Sequence, residues 1–98
     1  MHLWIVPARV NGGWCGAGKA RGATLDVDQK FQQLHATLAR GAVRQEFDAR
    51  IDGASVKSVD EALELMAGGD GLRVASAKKE FSTLAGSSFV RRSGDHCR

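Results

Sequence analysis

Residues Asp26 to Gly41 read DVDQKFQQLHATLARG, and the fold turns on whether this stretch is one helix. Asp26 has the side chain of an N-cap, and Gln29 stands three positions on as its capping-box partner. Val27, Phe31, Leu34 and Leu38 recur at i, i+4, i+7 and i+11, one apolar face at helical period. Gly41 follows as a left-handed stop. This punctuation predicts a helix from Asp26 to Arg40, with His35 beside Leu34 at the border of the apolar stripe.

Downstream of it, Gln45 to Ile51 alternates, with Phe47, Ala49 and Ile51 on one side and Glu46, Asp48 and Arg50 on the other. Asp52-Gly53 is a two-residue hairpin signal, and the returning strand sets Ala54 against Ile51 and Val56 against Ala49. Ser58 and Glu61 form a second capping box, which predicts a helix with Val59, Ala62, Leu63 and Met66 inward. Leu72 to Ala77 reads as a strand, Lys78 to Ala85 as a third helix or turn, and Phe89-Val90 as an edge strand.

Upstream, Leu3 to Val6 is apolar, β-prone and ended by Pro7. Residues 8–25 read as a glycine-rich loop. The expected fold is therefore α+β, in the order βαββαβ: an open-faced sandwich with two or three helices on one face of a four-stranded, mostly antiparallel sheet. Ferredoxin-like and HPr-like domains share this order. Residues 1–92 would form one small domain, and 93–98 a disordered tail.

Composition sets outer limits. The chain has 98 residues, of which 14 are Ala and only 22 are Leu, Ile, Val or Phe, so any core is thin. This size excludes a two-domain enzyme. The net charge of +3 divides into +3 over residues 1–24, −3 over 25–77 and +3 over 78–98. Basic ends are a modest footprint for phosphate or nucleic acid. Nucleic-acid binding through the sheet is disfavoured, because Phe47 alternates with core residues and Trp4 and Trp14 lie outside the central strands.

Cys15 and Cys97 make no disulfide framework and no CxxC, and His2, His35 and His96 are scattered, so no metal is expected. Leu3 to Val6 is shorter than a secretory core and no Lys or Arg precedes it; with no membrane span in sight, a cytoplasmic location is expected by default.

The glycine loop contains Gly13-x4-Gly18-Lys19, the outline of a phosphate-binding loop. Position 20 is Ala where a P-loop needs Ser or Thr for magnesium, which argues against nucleotide hydrolysis. A looser anion site at Gly13, Gly18, Lys19 and Arg21 remains.

Residues 44–77, RQEFDARIDGASVKSVDEALELMAGGDGLRVASA, resemble the second half of HPr-type phosphocarrier domains. The shared features are the tight turn at Asp52-Gly53, Lys57-Ser58 opening a helix, Leu63 to Met66, Gly68 to Gly71, and the strand to Ala77. The resemblance implies a phosphocarrier, or a relative that only binds partner proteins, with no cofactor. His35 would be the phosphoacceptor and Ser58 a regulatory phosphate site. The family's Gly-Leu-His-x-Arg-Pro signature keeps only Leu34-His35 here, with Thr37 and Leu38 in place of Arg and Pro. A phosphoacceptor His35 would also require strand and loop before it, against the capping box. The rival reading is a ferredoxin-like interaction module that takes anions, or nucleic acid, through the basic glycine loop. Under either reading a protein partner or a second copy is expected.

Overall fold

A computed structural model describes residues 10–69, 71–94 and 96–97. Inward-facing residues along 23–40 recur at period two, not 3.6. Leu25 and Val27 are buried and separated by exposed Asp26; Leu34, Ala36 and Leu38 are buried and alternate with half-exposed or exposed neighbours. Such alternation belongs to strands with one face in a core. The stretch is a hairpin: β2 (Ala23–Lys30) and β3 (Gln33–Arg40) pair antiparallel from Ala23↔Arg40 to Lys30↔Gln33.

The remaining strands continue the meander. β1 (Gly12–Ala17) precedes this hairpin; β4 (Val43–Asp52), β5 (Ser55–Ser58), β6 (Leu63–Gly68), β7 (Gly71–Ala77) and β8 (Ser88–Arg91) follow it. Each strand pairs with the next, and β8 pairs with β1 from Trp14↔Arg91 to Ala17↔Ser88. The result is a closed, eight-stranded, up-and-down antiparallel barrel, which leaves no unpaired edge.

This architecture replaces the α+β sandwich and its HPr-like or ferredoxin-like variants. The helix expected at 26–40 is β2 and β3, and the helix from Ser58 is a turn followed by β6. In β6, Leu63 and Leu65 are buried, whereas Val59, expected inward, is 69% exposed. The segment carrying the phosphocarrier resemblance is thus the strand run β4–β7. Lys78 to Ala85 contains a 3-10 helix, Lys79–Leu84. Phe89-Val90 is no edge strand, since β8 closes the barrel. Within the expected loop 8–25 lie β1, a 3-10 turn at Gly18–Ala20 and the start of β2. The strand expected at Leu3 to Val6 lies outside the described residues.

The hairpin after β4 is present, but its turn is Gly53-Ala54, with Asp52↔Ser55 and Ile51↔Val56 as its first pairs. The shift leaves Ala49, Ile51 and Val56 on the inward face, but Ala54, expected opposite Ile51, is exposed in the turn. The 10-residue β4 and the strand at 71–77 also stand close to their sequence reading.

A barrel of this size has room for filled layers of side chains. Trp14, Leu25, Leu65, Leu72, Phe81 and Phe89 supply the bulk, and the small Ala23, Ala36 and Ala49 are buried among them. Ala20, Ala23, Ala36, Ala49 and Ala62 thus place part of the alanine content in the interior of a narrow barrel. Both 3-10 segments lie at the end where β1 leads into β2 and β7 into β8; their Ala20, Phe81 and Leu84 are buried and cap that end. Phe81 meets Phe47 edge to face, with ring centroids 5.1 Å apart.

The cysteines, expected unpaired, form a disulfide between Cys15 on β1 and Cys97, with Cα atoms 5.6 Å apart. It fastens Cys97, beyond β8, to β1, where a disordered tail was expected.

Three two-residue turns share one geometry. Gly41 (φ 60°) and Gly53 (φ 63°) open the β3–β4 and β4–β5 turns, and Phe31 (φ 61°) opens the β2–β3 turn. Positive φ suits glycine and strains a bulky L-residue by about 1–2 kcal/mol. Phe31 is also 89% exposed, so its ring gains little burial in return. Phe31→Gly is expected to stabilise the barrel by about 0.5–1 kcal/mol, read as a higher urea midpoint at unchanged m-value. A lower midpoint would show that the ring makes contacts which outweigh the strain.

Candidate functional site

The outer faces of β2, β3 and β4 gather acids around His35. By register, His35 stands between Asp28 and Asp48, and Thr37 between Asp26 and Glu46. The imidazole bridges two carboxylates: Nδ1 to Asp48 Oδ1 at 3.0 Å and Nε2 to Glu46 Oε1 at 2.9 Å. Both ring nitrogens donate only in the imidazolium form. The hydrogen bond to Asp48, then that to Glu46, raises the His35 pKa above its ordinary 6.5. An attacking phosphoacceptor needs a free nitrogen lone pair and tolerance for an incoming anion. His35 has neither, being held by two carboxylates with Asp28 alongside. The arrangement suits a cross-strand clamp.

The clamp sets a pH dependence. A raised folded pKa means that the contribution is complete below about pH 6.5 and is lost as pH rises through the folded value. Midpoints of urea unfolding should therefore decline from pH 6 to pH 9, and His35→Gln should flatten that part of the profile. An unchanged slope in the variant would remove His35 as its source.

Ser58, expected as a regulatory phosphate site, ends β5 and is 3% exposed. Its hydroxyl donates to Asp60 Oδ1 (2.9 Å) and accepts from the Leu63 amide (3.0 Å). Asp60 Oδ1 also accepts from the Ala62 amide at 3.0 Å, and this bond, followed by that from Ser58, holds the carboxyl below its ordinary 3.8. Ser58 thus organises the β5–β6 turn in place of a helix start. A phosphate there would displace both bonds and face the Asp60 carboxylate.

The four residues of the expected anion loop separate. Gly13, on β1, lines an acidic cleft with Asp26, Asp28 and His35, where Arg92 pairs with Asp26 at 3.3 Å. Lys19 accepts a 2.6 Å bond from the Arg40 guanidinium at its carbonyl. Gly18 and Arg21 come together in a groove of about 490 Å3 on the outer face of β1 and β8. Arg91, Ser93 and His96 form its other wall. Arg91 is fixed by a 2.7 Å bond to the Asn11 carbonyl and lies 4.0 Å over the Trp14 ring.

Glycine shapes this wall for a packing reason. A Cβ at Gly16 would run into the Ala20 carbonyl, so the 3-10 turn can fold against β1 only at a glycine. At Gly18 a Cβ would meet nothing within 4 Å, so the backbone there is open to approach. Of the residues lining this groove, local patterning had singled out Gly18 and Arg21. It missed Arg91, Ser93 and His96, which reach the groove through the β1–β8 pairing and the Cys15–Cys97 bond.

No family model, curated protein or solved structure matches the chain. The fold therefore defines the class, a small disulfide-bonded up-and-down β-barrel. No helix among the described residues is long and apolar enough to cross a membrane.

Proposed function

We propose that the barrel is a binding module that takes a phosphate-like anion in the groove of β1 and β8. The observation that carries this reading is that Arg21 and His96 line one groove with the accessible backbone of Gly18, while the Arg91 guanidinium is held against Trp14 and Asn11 at its edge. Guanidinium groups match tetrahedral oxyanions by paired N–H donation, and glycine lets the anion approach main-chain amides. Among the described residues no carboxylate pairs with Arg21, whereas the outer face of β2, β3 and β4 around His35 is acidic and would repel the same ligand. The Cys15–Cys97 bond supports an oxidising compartment for this module, since such bonds are rare in the cytosol.

Titration of the oxidised protein with inorganic phosphate at constant ionic strength, followed by amide NMR, tests the site. Resonances of Gly16 to Arg21 and of His96 should move together. Arg21→Ala should weaken the affinity about tenfold, the loss of one charge-assisted bond at an exposed site. Shifts confined to other faces, or an affinity unchanged in the variant, would reject the groove.

A further inference from the structure

At the capped end the two 3-10 segments do not cover the whole barrel mouth. There β2 begins, β3 ends and β4 begins level with one another, at Ala23↔Arg40 and Arg40↔Val43, and the alternation sets Leu38, Arg40, Val43 and Gln45 on the inward-facing side. With Leu84 from the second 3-10 segment they enclose a cavity of about 200 Å3. An enclosed apolar cavity of about 150 Å3 admits benzene, and drug-sized pockets begin near 300 Å3. The mouth is therefore sized for a small metabolite.

Its chemistry is divided. Leu38 and Leu84, buried at 7% and 3%, make an apolar floor, and Val43, 65% exposed, stands at the lip. Arg40 lines the cavity from β3 and Glu80 from the 3-10 segment. No salt bridge joins them, and neither forms one with another described residue. Arg40 is steadied by its 2.6 Å bond to the Lys19 carbonyl, which uses one terminal nitrogen and leaves other donors of the fork. Glu80 follows Lys79, a non-glycine residue held at φ 56°, the kind of backbone strain that gathers at binding sites.

A cation and an anion set on different elements over an apolar floor complement a zwitterion with an apolar side chain. We infer that the barrel mouth binds a free apolar α-amino acid. Arg40 takes its carboxylate, Glu80 its ammonium, and Leu38, Val43 and Leu84 its side chain. Gln45, both donor and acceptor, can bond either charged group. This site is separate from the anion groove and does not depend on it.

L-leucine is the probe, with 4-methylpentanoate and 3-methylbutylamine as analogues lacking the ammonium or the carboxylate. Amide NMR on the intact, oxidised chain should show leucine moving Ala23, Leu38, Val43 and Thr83, while the Gly16 and His96 amides that report the anion groove stay in place. Each analogue should bind about tenfold more weakly, the loss of one charge-assisted contact. Arg40→Gln should erase the advantage of leucine over the amine, and Glu80→Gln its advantage over the acid. Both residues are exposed, so the variants keep the fold, and unchanged spectra away from the mouth confirm it. Stationary mouth amides at roughly ten times a millimolar Kd would overturn the inference, as would analogues binding as tightly as leucine.

Discussion

Cys97→Ser is expected to lower the unfolding free energy by about 4–5 kcal/mol, the effect of releasing a cross-link that spans 82 residues. In the chain-entropy account a disulfide works mainly on the unfolded ensemble, and a closed loop of about 100 residues is worth about 4.7 kcal/mol. A domain of this size has only about 5–15 kcal/mol in total. The loss should appear as a melting temperature lower by roughly 15–30 °C and as a larger m-value, because the open chain exposes more surface when it unfolds. Reduction of the native protein by excess dithiol should reproduce both changes. The native side matters too. Among the described residues, the Arg92 amide, which donates to the Gly13 carbonyl at 3.0 Å, and the Cys15–Cys97 bond tie the chain after β8 to β1. Releasing the disulfide removes His96 and Ser93 from the groove, so phosphate affinity should fall even at temperatures where the barrel stays folded. A variant that melts with the native protein, and a dithiol-treated protein that does the same, would show that the bond does not close in solution.

The residues that hid the barrel are few. Val27, Leu34 and Leu38 fit a helical face and a hairpin equally, because a two-residue turn between them shifts the parity of the second strand. Phe31 supplied the fourth helical position, yet it opens the turn, where Gly41 and Gly53 stand in the sister hairpins. A glycine at that position would have announced the turn. Ala36 and Ala39 carried no weight in a hydrophobic pattern, although Ala36 is as buried as Leu34. Ser58 and Glu61 have the spacing of a capping box, but the Ser58 hydroxyl accepts from the Leu63 amide at the start of β6. By contrast, strong β alternation in Phe47 to Ile51 and the aspartate-glycine turn survived almost intact, because they rest on local chemistry alone. Closure could not be read, since the β1–β8 pairing and the Cys15–Cys97 bond join residues some 70 to 80 positions apart. The groove of β1 and β8 inherits the same limit, with one wall local in sequence and the other delivered by closure.

The barrel cap makes the second large prediction. Phe81, 1% exposed, descends from the second 3-10 segment into the interior and packs edge to face on Phe47. Phe81→Ala should cost about 3–5 kcal/mol, from lost burial and from a cavity that the β-scaffold cannot collapse to fill. The aromatic pair contributes about 0.5–1.5 kcal/mol of this beyond area. A closed barrel gives little room for relaxation, since moving one strand inward disturbs the pairing on both sides. The cost should therefore lie toward the upper end, and Phe81→Leu, which keeps most of the volume, should recover more than half of it. Val59→Ala, at an exposed position near the same end, is the control and should change stability by less than about 0.5 kcal/mol. Urea midpoints of the three variants decide the matter. A Phe81→Ala protein as stable as Val59→Ala would mean that the 3-10 segment does not cap the barrel, and the mouth beside it would lose its floor at Leu84 as well.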